Sequence, residues 1–243
     1  MSKDNKKSDL ENYTITLAQY KKKRALLEKT LPPLHPDLAN LYWDMGSAYY
    51  RLADYSISIA YYEKCRIIRE QILPSTHHNL ANLYLKMAIT YNDLGDYDIS
   101  LEYYEKCLII NAQTLPEPNI DLAILYMSIA KTYDSLKDYD TALSYCEKSR
   151  TIYEQMLPHL HVNLAILYLN MSDICKNLGD NAAALKYCQK SCTIYEQILP
   201  KQHVYLAILY LKISVIYLDL GNEINALKYY EKYTAINKKM PPR

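Results

Sequence analysis

Apolar residues along this chain follow helical spacing in pairs of stretches, each pair split by a short turn, and the pair itself returns every 42 residues. The first stretch reads Leu-Ala-Asn-Leu-Tyr at 38–42 and 80–84, then Leu-Ala-Ile-Leu-Tyr at 122–126, 164–168 and 206–210. The second carries Tyr-Tyr-Glu-Lys at 61–64, 103–106 and 229–232. Leu-Pro punctuates the series at 31, 73, 115, 157 and 199. Proline lacks an N–H and pushes the residue before it out of the helical region, so each second helix is predicted to stop there. First helices are predicted to close at Gly95, Gly179 and Gly221, where a left-handed residue ends a helix at little cost. Ala53 and Lys137 hold the same place and should be strained by about 1 kcal/mol. Asp54, Asp96, Asp138, Asp180 and Asn222 follow at once and suit the N-cap of the next helix.

A fixed period of this size marks a solenoid, in which each unit buries its apolar face only against its neighbours. The units run 31–72, 73–114, 115–156, 157–198 and 199–240. Residues 14–30 align with the second helix of a unit and form a leading half repeat, Tyr20 falling on Tyr62. Residues 1–13 read as a polar, disordered tail and 241–243 as a short one. Small residues fall where two helices must touch: Gly46, Ala88, Ala130, Ser172 and Ser214 in one column, Ser58, Ser100, Ala142, Ala184 and Ala226 in another. Large ones fill between, with Tyr49, Tyr91, Tyr133 and Tyr217 expected to face Tyr62, Tyr104 and Tyr230.

These columns resemble the tetratricopeptide repeat, whose common form is 34 residues long. The 42-residue spacing and the Leu-Pro-x-x-His opening are similar to the variety found in kinesin light chains. The resemblance implies an all-α fold, a right-handed α-α superhelical solenoid whose first helices line a concave groove for a partner. Carried onto this chain, one groove offset reads Trp43, Leu85, Met127, Leu169, Leu211, an apolar ladder. Neighbouring offsets read Ser47, Ile89, Lys131, Asp173, Val215 and Tyr50, Asn92, Asp134, Lys176, Leu218. The groove is thus expected to be apolar at both ends and charged in its middle, suited to a peptide or amphipathic helix. The same ladder is also what longer helices would bury against one another. Trp43 stands where chaperone-binding members carry a lysine, which disfavours that partner.

Composition narrows the functions further. Lys plus Arg number 28 and Asp plus Glu 27, so the basic excess that nucleic-acid binding draws on is missing. The N-terminal residues have no apolar core to serve as a secretory signal, and the apolar stretch 206–220 is broken by Lys212 and Asp219, so no membrane association is expected. A reducing, cytoplasmic location is expected. There are 27 tyrosines and no phenylalanine, which periodicity alone does not explain.

His35, His77, His161 and His203 recur one repeat apart, too far from each other for one metal, and suit local bonding at helix starts. Cys65, Cys107, Cys146 and Cys188 sit in core columns as small apolar groups. Cys175, Cys188 and Cys192 fall within one unit, where a metal or redox site competes with plain core packing. Glu63, Glu105, Glu147 and Glu231 read as a solvated face paired with lysine. No phosphate loop, nucleophile elbow or His-Glu-x-x-His occurs, and neither an enzyme nor a cofactor is expected. The reading is a non-catalytic scaffold or adaptor that binds a protein or peptide, in the manner of a kinesin-light-chain cargo adaptor. Its rival is a targeting or regulatory segment of a larger multidomain enzyme. Self-association through the open repeat ends is a third expectation.

Overall fold

The computed structural model describes residues 3–116 and 118–238, with side chains from residue 13 onward. The described residues are helical hairpins joined by short turns. Helix α1 spans Lys3–Thr30, followed by α2 (Pro36–Arg51), α3 (Tyr55–Ile72), α4 (His78–Leu94) and α5 (Tyr97–Thr114). Next come α6 (Ile120–Ser135), α7 (Tyr139–Met156), α8 (Val162–Asn177), α9 (Asn181–Ile198), α10 (Val204–Asp219) and α11 (Glu223–Asn237). They fall into two compact units, Met1–Leu115 and Pro116–Arg243. In the first unit each helix packs on the next, from α1 to α5; in the second the same holds from α6 to α11. The fold is all-α and of the repeat-solenoid class.

Helix α1 starts at Lys3, within the segment expected as a tail. No glycine or proline interrupts residues 1–30, so nothing breaks a helix ahead of Pro32. Residues 241–243 lie outside the described residues.

Helix ends follow the sequence closely. The residue before each Leu-Pro proline, Leu73, Leu115, Leu157 or Leu199, is extended. Gly95, Gly179 and Gly221 take positive φ, and Ala53 and Lys137 are forced into the same region at φ 62° and 63°. The side chains of Asp138, Asp180 and Asn222 accept a backbone N–H as N-caps, whereas Asp54 and Asp96 make no such bond.

Hairpins close through the two small columns. In the first two, Ser58 and Ser100 on the second helix donate 2.8 Å hydrogen bonds to the carbonyls of Gly46 and Ala88 on the first. In the last two the serine has changed sides, Ser172 and Ser214 donating to Ala184 and Ala226 at 2.8 Å. The middle hairpin has alanine on both sides, Ala130 and Ala142, each buried. At Gly46 the approach leaves no room for a side chain, since a Cβ there would lie 2.7 Å from the Tyr62 ring.

The aromatic pairing differs from expectation. Tyr49, Tyr91, Tyr133 and Tyr217 stack on Tyr61, Tyr103, Tyr145 and Tyr229, at centroid distances of 5.5–5.7 Å. The residues one place on, Tyr62 and Tyr104, are buried elsewhere in the hairpin, and Tyr230 is exposed. One residue along a helix turns a side chain by about 100°, enough to exchange one face for another.

Candidate functional site

The polar columns of the second helices turn out to be mortar between consecutive hairpins. Arg66 bonds Glu63 and Glu70 at 2.8 Å, and those carboxylates accept hydroxyls of the following hairpin, Tyr103 on Glu63 and Tyr84 on Glu70, both at 2.8 Å. Arg150 repeats the knot with Glu147, and Tyr168 and Tyr187 donate to Glu154 and Glu147. Tyr42 donates to Glu28 and Tyr210 to Glu196 in the same way. Burial first, then the bonded Glu28, pushes the Tyr42 hydroxyl up to about 12. The lysine after each glutamate lies over tyrosine rings, Lys106 4.8 Å from Tyr103 and Lys148 4.4 Å from Tyr145. The expected lysine-paired glutamate face is therefore corrected at Glu63 and Glu147, which hold arginine and the next hairpin's tyrosine. Glu105 and Glu231 are exposed.

Along the first helices the structure brings some of the expected groove residues together and gives others different work. In the first unit Trp43 is half-buried, its ring 5.6 Å from Tyr62 with the Arg69 guanidinium 5.0 Å away. Tyr50 donates to Asp93 of the next first helix at 2.7 Å. Leu85 and Ile89 on α4 are half-buried.

In the second unit, Met127 and Lys131 of α6 meet Asn170 and Asp173 of α8 around a cavity of about 220 Å³. Leu211 and Val215 of α10 meet Asp173 and Lys176 of α8 around another of about 290 Å³. The charged band across this face is internally paired: Lys212 reaches Asp173 at 2.7 Å and Lys176 reaches Asp219 at 3.2 Å. Leu169 is half-buried on α8, and Leu218 is exposed at the far end of α10.

One row of this face escaped the sequence reading. Ile124, Ile166 and Ile208 lie three residues before the ladder on α6, α8 and α10, and are 39 %, 38 % and 44 % exposed. The signal was available, because the first two repeats carry Asn40 and Asn82 in that column. A further cavity of about 430 Å³ lies among Pro118, Leu122, Tyr126, Lys148 and Ile152, between the start of α6 and the end of α7.

The remaining candidates resolve locally. Nδ1 of His35, His77, His161 and His203 accepts the N–H two residues on at 3.1–3.2 Å, capping α2, α4, α8 and α10. Asn119 fills the same place before α6 at 2.7 Å. All six cysteines are free and buried, and burial raises Cys65 and Cys188 to about 11 and Cys146 and Cys192 to about 12. Thiols held protonated in this way are poor nucleophiles. Among the described residues no three His, Cys, Asp or Glu side chains gather as a metal site, and no helix is long and apolar enough to cross a membrane.

Hairpins stacked through repeating columns, with a part-exposed face along their first helices, define an α-solenoid repeat protein. Models of the tetratricopeptide repeat match residues 38–79, 72–155 and 163–239, and the chain belongs to that family. Its fold is that of a protein-interaction scaffold. A structure of a Podospora anserina putative kinesin light chain with nearly identical TPR-like repeats superposes with a TM-score of 0.73 at 18% identity, over 84% of this chain and 97% of that one. BtubC (BKLC) from P. vanneervenii gives 0.77 at 15% identity, over 96% and 94%. The apo form of RapI gives 0.76 at 16%, over 92% of this chain and 60% of that one. No curated protein matches the chain.

Proposed function

We propose that the chain is a non-catalytic adaptor that holds a peptide or amphipathic helix against its first helices, with the principal contact in the second unit. The observation that carries this reading is the double row of Ile124, Ile166, Ile208 and Met127, Leu169, Leu211, every member half-buried or more exposed. Side chains needed only for the core would be covered, as Leu125, Leu167 and Leu209 on the same helices are. The paired lysines and aspartates beside the rows leave the face with little net charge, so the anchors of the partner are apolar. Trp43, Leu85 and Ile89 offer a second, smaller contact in the first unit. Similarity to a putative kinesin light chain supports a cargo-adaptor form of this role, and six reduced, buried thiols fit the cytoplasm.

The test is affinity capture from cell extract with the intact chain and with a Leu169→Glu/Leu211→Glu variant whose helicity is checked by circular dichroism. Loss of a defined set of proteins from the folded variant is expected. Capture of an unchanged set by both would overturn the reading.

A further inference from the structure

Charges on the first-helix face are matched in the second unit and unmatched in the first. On α10, Lys212 bonds both Asp173 oxygens of α8 at 2.7 Å. The same two columns hold Lys86 on α4 and Ser47 on α2, so in the first unit the lysine recurs without its carboxylate. Ser47 turns instead to the Tyr62 hydroxyl at 3.1 Å. Lys86 is exposed, and among the described residues its ammonium makes no ion pair.

Arg69 departs from its column in the same sense. Its counterparts are Asn111, Tyr153, Tyr195 and Asn237, all neutral, so the fold of a hairpin does not need a charge there. The residue is 8% exposed at the end of α3, and its guanidinium lies 5.0 Å from the Trp43 ring. Its nitrogens donate to two neutral acceptors, the Asn79 carbonyl at 3.1 Å and Asn40 Oδ1 at 3.5 Å. Arg66, one turn earlier, holds Glu63 and Glu70 instead. Lys23 and Arg69 both act on Asp44 through space, yet among the described residues neither pairs with it. A guanidinium stays charged at any physiological pH, and taking one out of water without a counter-charge is unfavourable. Lys23, Arg69 and Lys86 thus stand against the single carboxylate of Asp44 beside the apolar Trp43 and Leu85.

We propose that this end of the first-helix face binds a segment of a partner protein through its acidic side chains, with Arg69 and Lys86 taking carboxylates while Trp43 and Leu85 cover an apolar residue next to them. The inference rests on the smaller contact assigned above to the first unit and gives its partner a charge. The indole stacked on Arg69 holds a planar fork that matches a carboxylate in shape, and Lys86 adds a mobile point charge. A nucleic acid is a poorer match, because Asp44 lies within the cluster and the whole chain carries 28 Lys and Arg against 27 Asp and Glu.

Trp43 is the one tryptophan in the chain, so its fluorescence reports on this place directly. The probes are two synthetic peptides with blocked ends, acetyl-Gly-Ser-Glu-Glu-Leu-Leu-Glu-Glu-Gly-Ser-amide and the same sequence with glutamine for every glutamate. Each is titrated into the full chain at low and at physiological salt. The acidic peptide is expected to shift the Trp43 emission saturably, to bind at least about tenfold more tightly than the glutamine peptide, and to weaken as salt rises. Arg69→Asn and Lys86→Ser introduce residues that Asn111 and Ser128 already provide in the same columns of folded hairpins. Each should remove most of that preference and leave the glutamine peptide unchanged, with calorimetry giving the constants independently of Trp43. Lys228→Gln, at an exposed lysine of α11, should change neither. Equal affinity for the two peptides, or an undiminished preference in both variants, would overturn the inference while leaving the apolar contact standing. No binding of either peptide would remove that contact as well, and tighter binding of a single-stranded oligonucleotide would overturn the choice of a protein partner.

Discussion

A tyrosine can pack its ring in a hairpin and still send a hydroxyl to a neighbouring carboxylate, which phenylalanine cannot do. Tyr42, Tyr84, Tyr168 and Tyr210 occupy one column and each donates to the glutamate fourteen residues before it, at 2.8–2.9 Å. At these positions the preference for tyrosine over phenylalanine thus has a cause that periodicity could not reveal, because it lies in bonds between successive elements of the stack. Histidine is the opposite case. Its recurrence was visible, and its role as a cap followed from its place ahead of an apolar run. Asn119 doing the same task shows that what the position requires is a side-chain acceptor rather than an imidazole. His161→Asn should therefore keep the denaturant midpoint, while His161→Ala should cost about 1 kcal/mol, read by urea unfolding followed by circular dichroism. Equal losses in both would mean that the imidazole ring has another use.

At the scale of helices, pairing within a hairpin was legible because two small columns mark where backbones touch. What was not legible is that a buried hydroxyl needs a carbonyl partner, and that the serine can stand on either helix provided the other presents one. The tyrosine faces were misassigned by one residue for a related reason: adjacent tyrosines look alike in sequence but point a quarter-turn or more apart on a helix. Ser149 and Ser191 show how much the partner matters. Both are fully buried in one column, which holds Cys65 and Cys107 in earlier hairpins. Ser191 donates to the carbonyl of Ala165 at 2.8 Å, whereas the Ser149 hydroxyl has no partner. A buried hydroxyl without a bond is a desolvation loss that its removal relieves. Ser149→Ala is expected to leave stability unchanged or raise it by up to about 1 kcal/mol, and Ser191→Ala to lower it by about the same amount. Calorimetry of the two variants side by side would show it; a matched loss in both would mean that Ser149 finds a partner in solution.

For the molecule as a whole, the 42-residue period carried most of the architecture, since a unit that buries its face only on its neighbours dictates a stack wherever it recurs. The binding face was legible only in part. Its ladder came from the repeat register, but which members stay accessible depends on lateral bonds such as Tyr50 to Asp93, and those depend on residues a full repeat apart. The same nearest-neighbour logic governs how the molecule opens. In the first unit α3 packs on α2 and on α4, while α1 rests mainly on α2 and adds one 2.7 Å hydrogen bond from Arg24 to Tyr61 of α3. A helix with one main neighbour has one main interface to lose, and the fold-wide stability of an array is a sum over such interfaces. The polar character of α1 reduces that interface further, since Leu26 and Ile15 are 61% and 60% exposed and Lys21, Lys22 and Lys23 face solvent. Amides of α1 should accordingly exchange with deuterium well before those of α3 under native conditions, and those of α8 and α9, each packed on both sides, should be among the slowest of the second unit. Mass spectrometry of peptides from a labelling time course measures this directly. Uniform protection from α1 through α5 would mean that the first unit opens in a single cooperative step, with the knots of arginine, glutamate and tyrosine coupling each hairpin to the next more tightly than the helices couple within it.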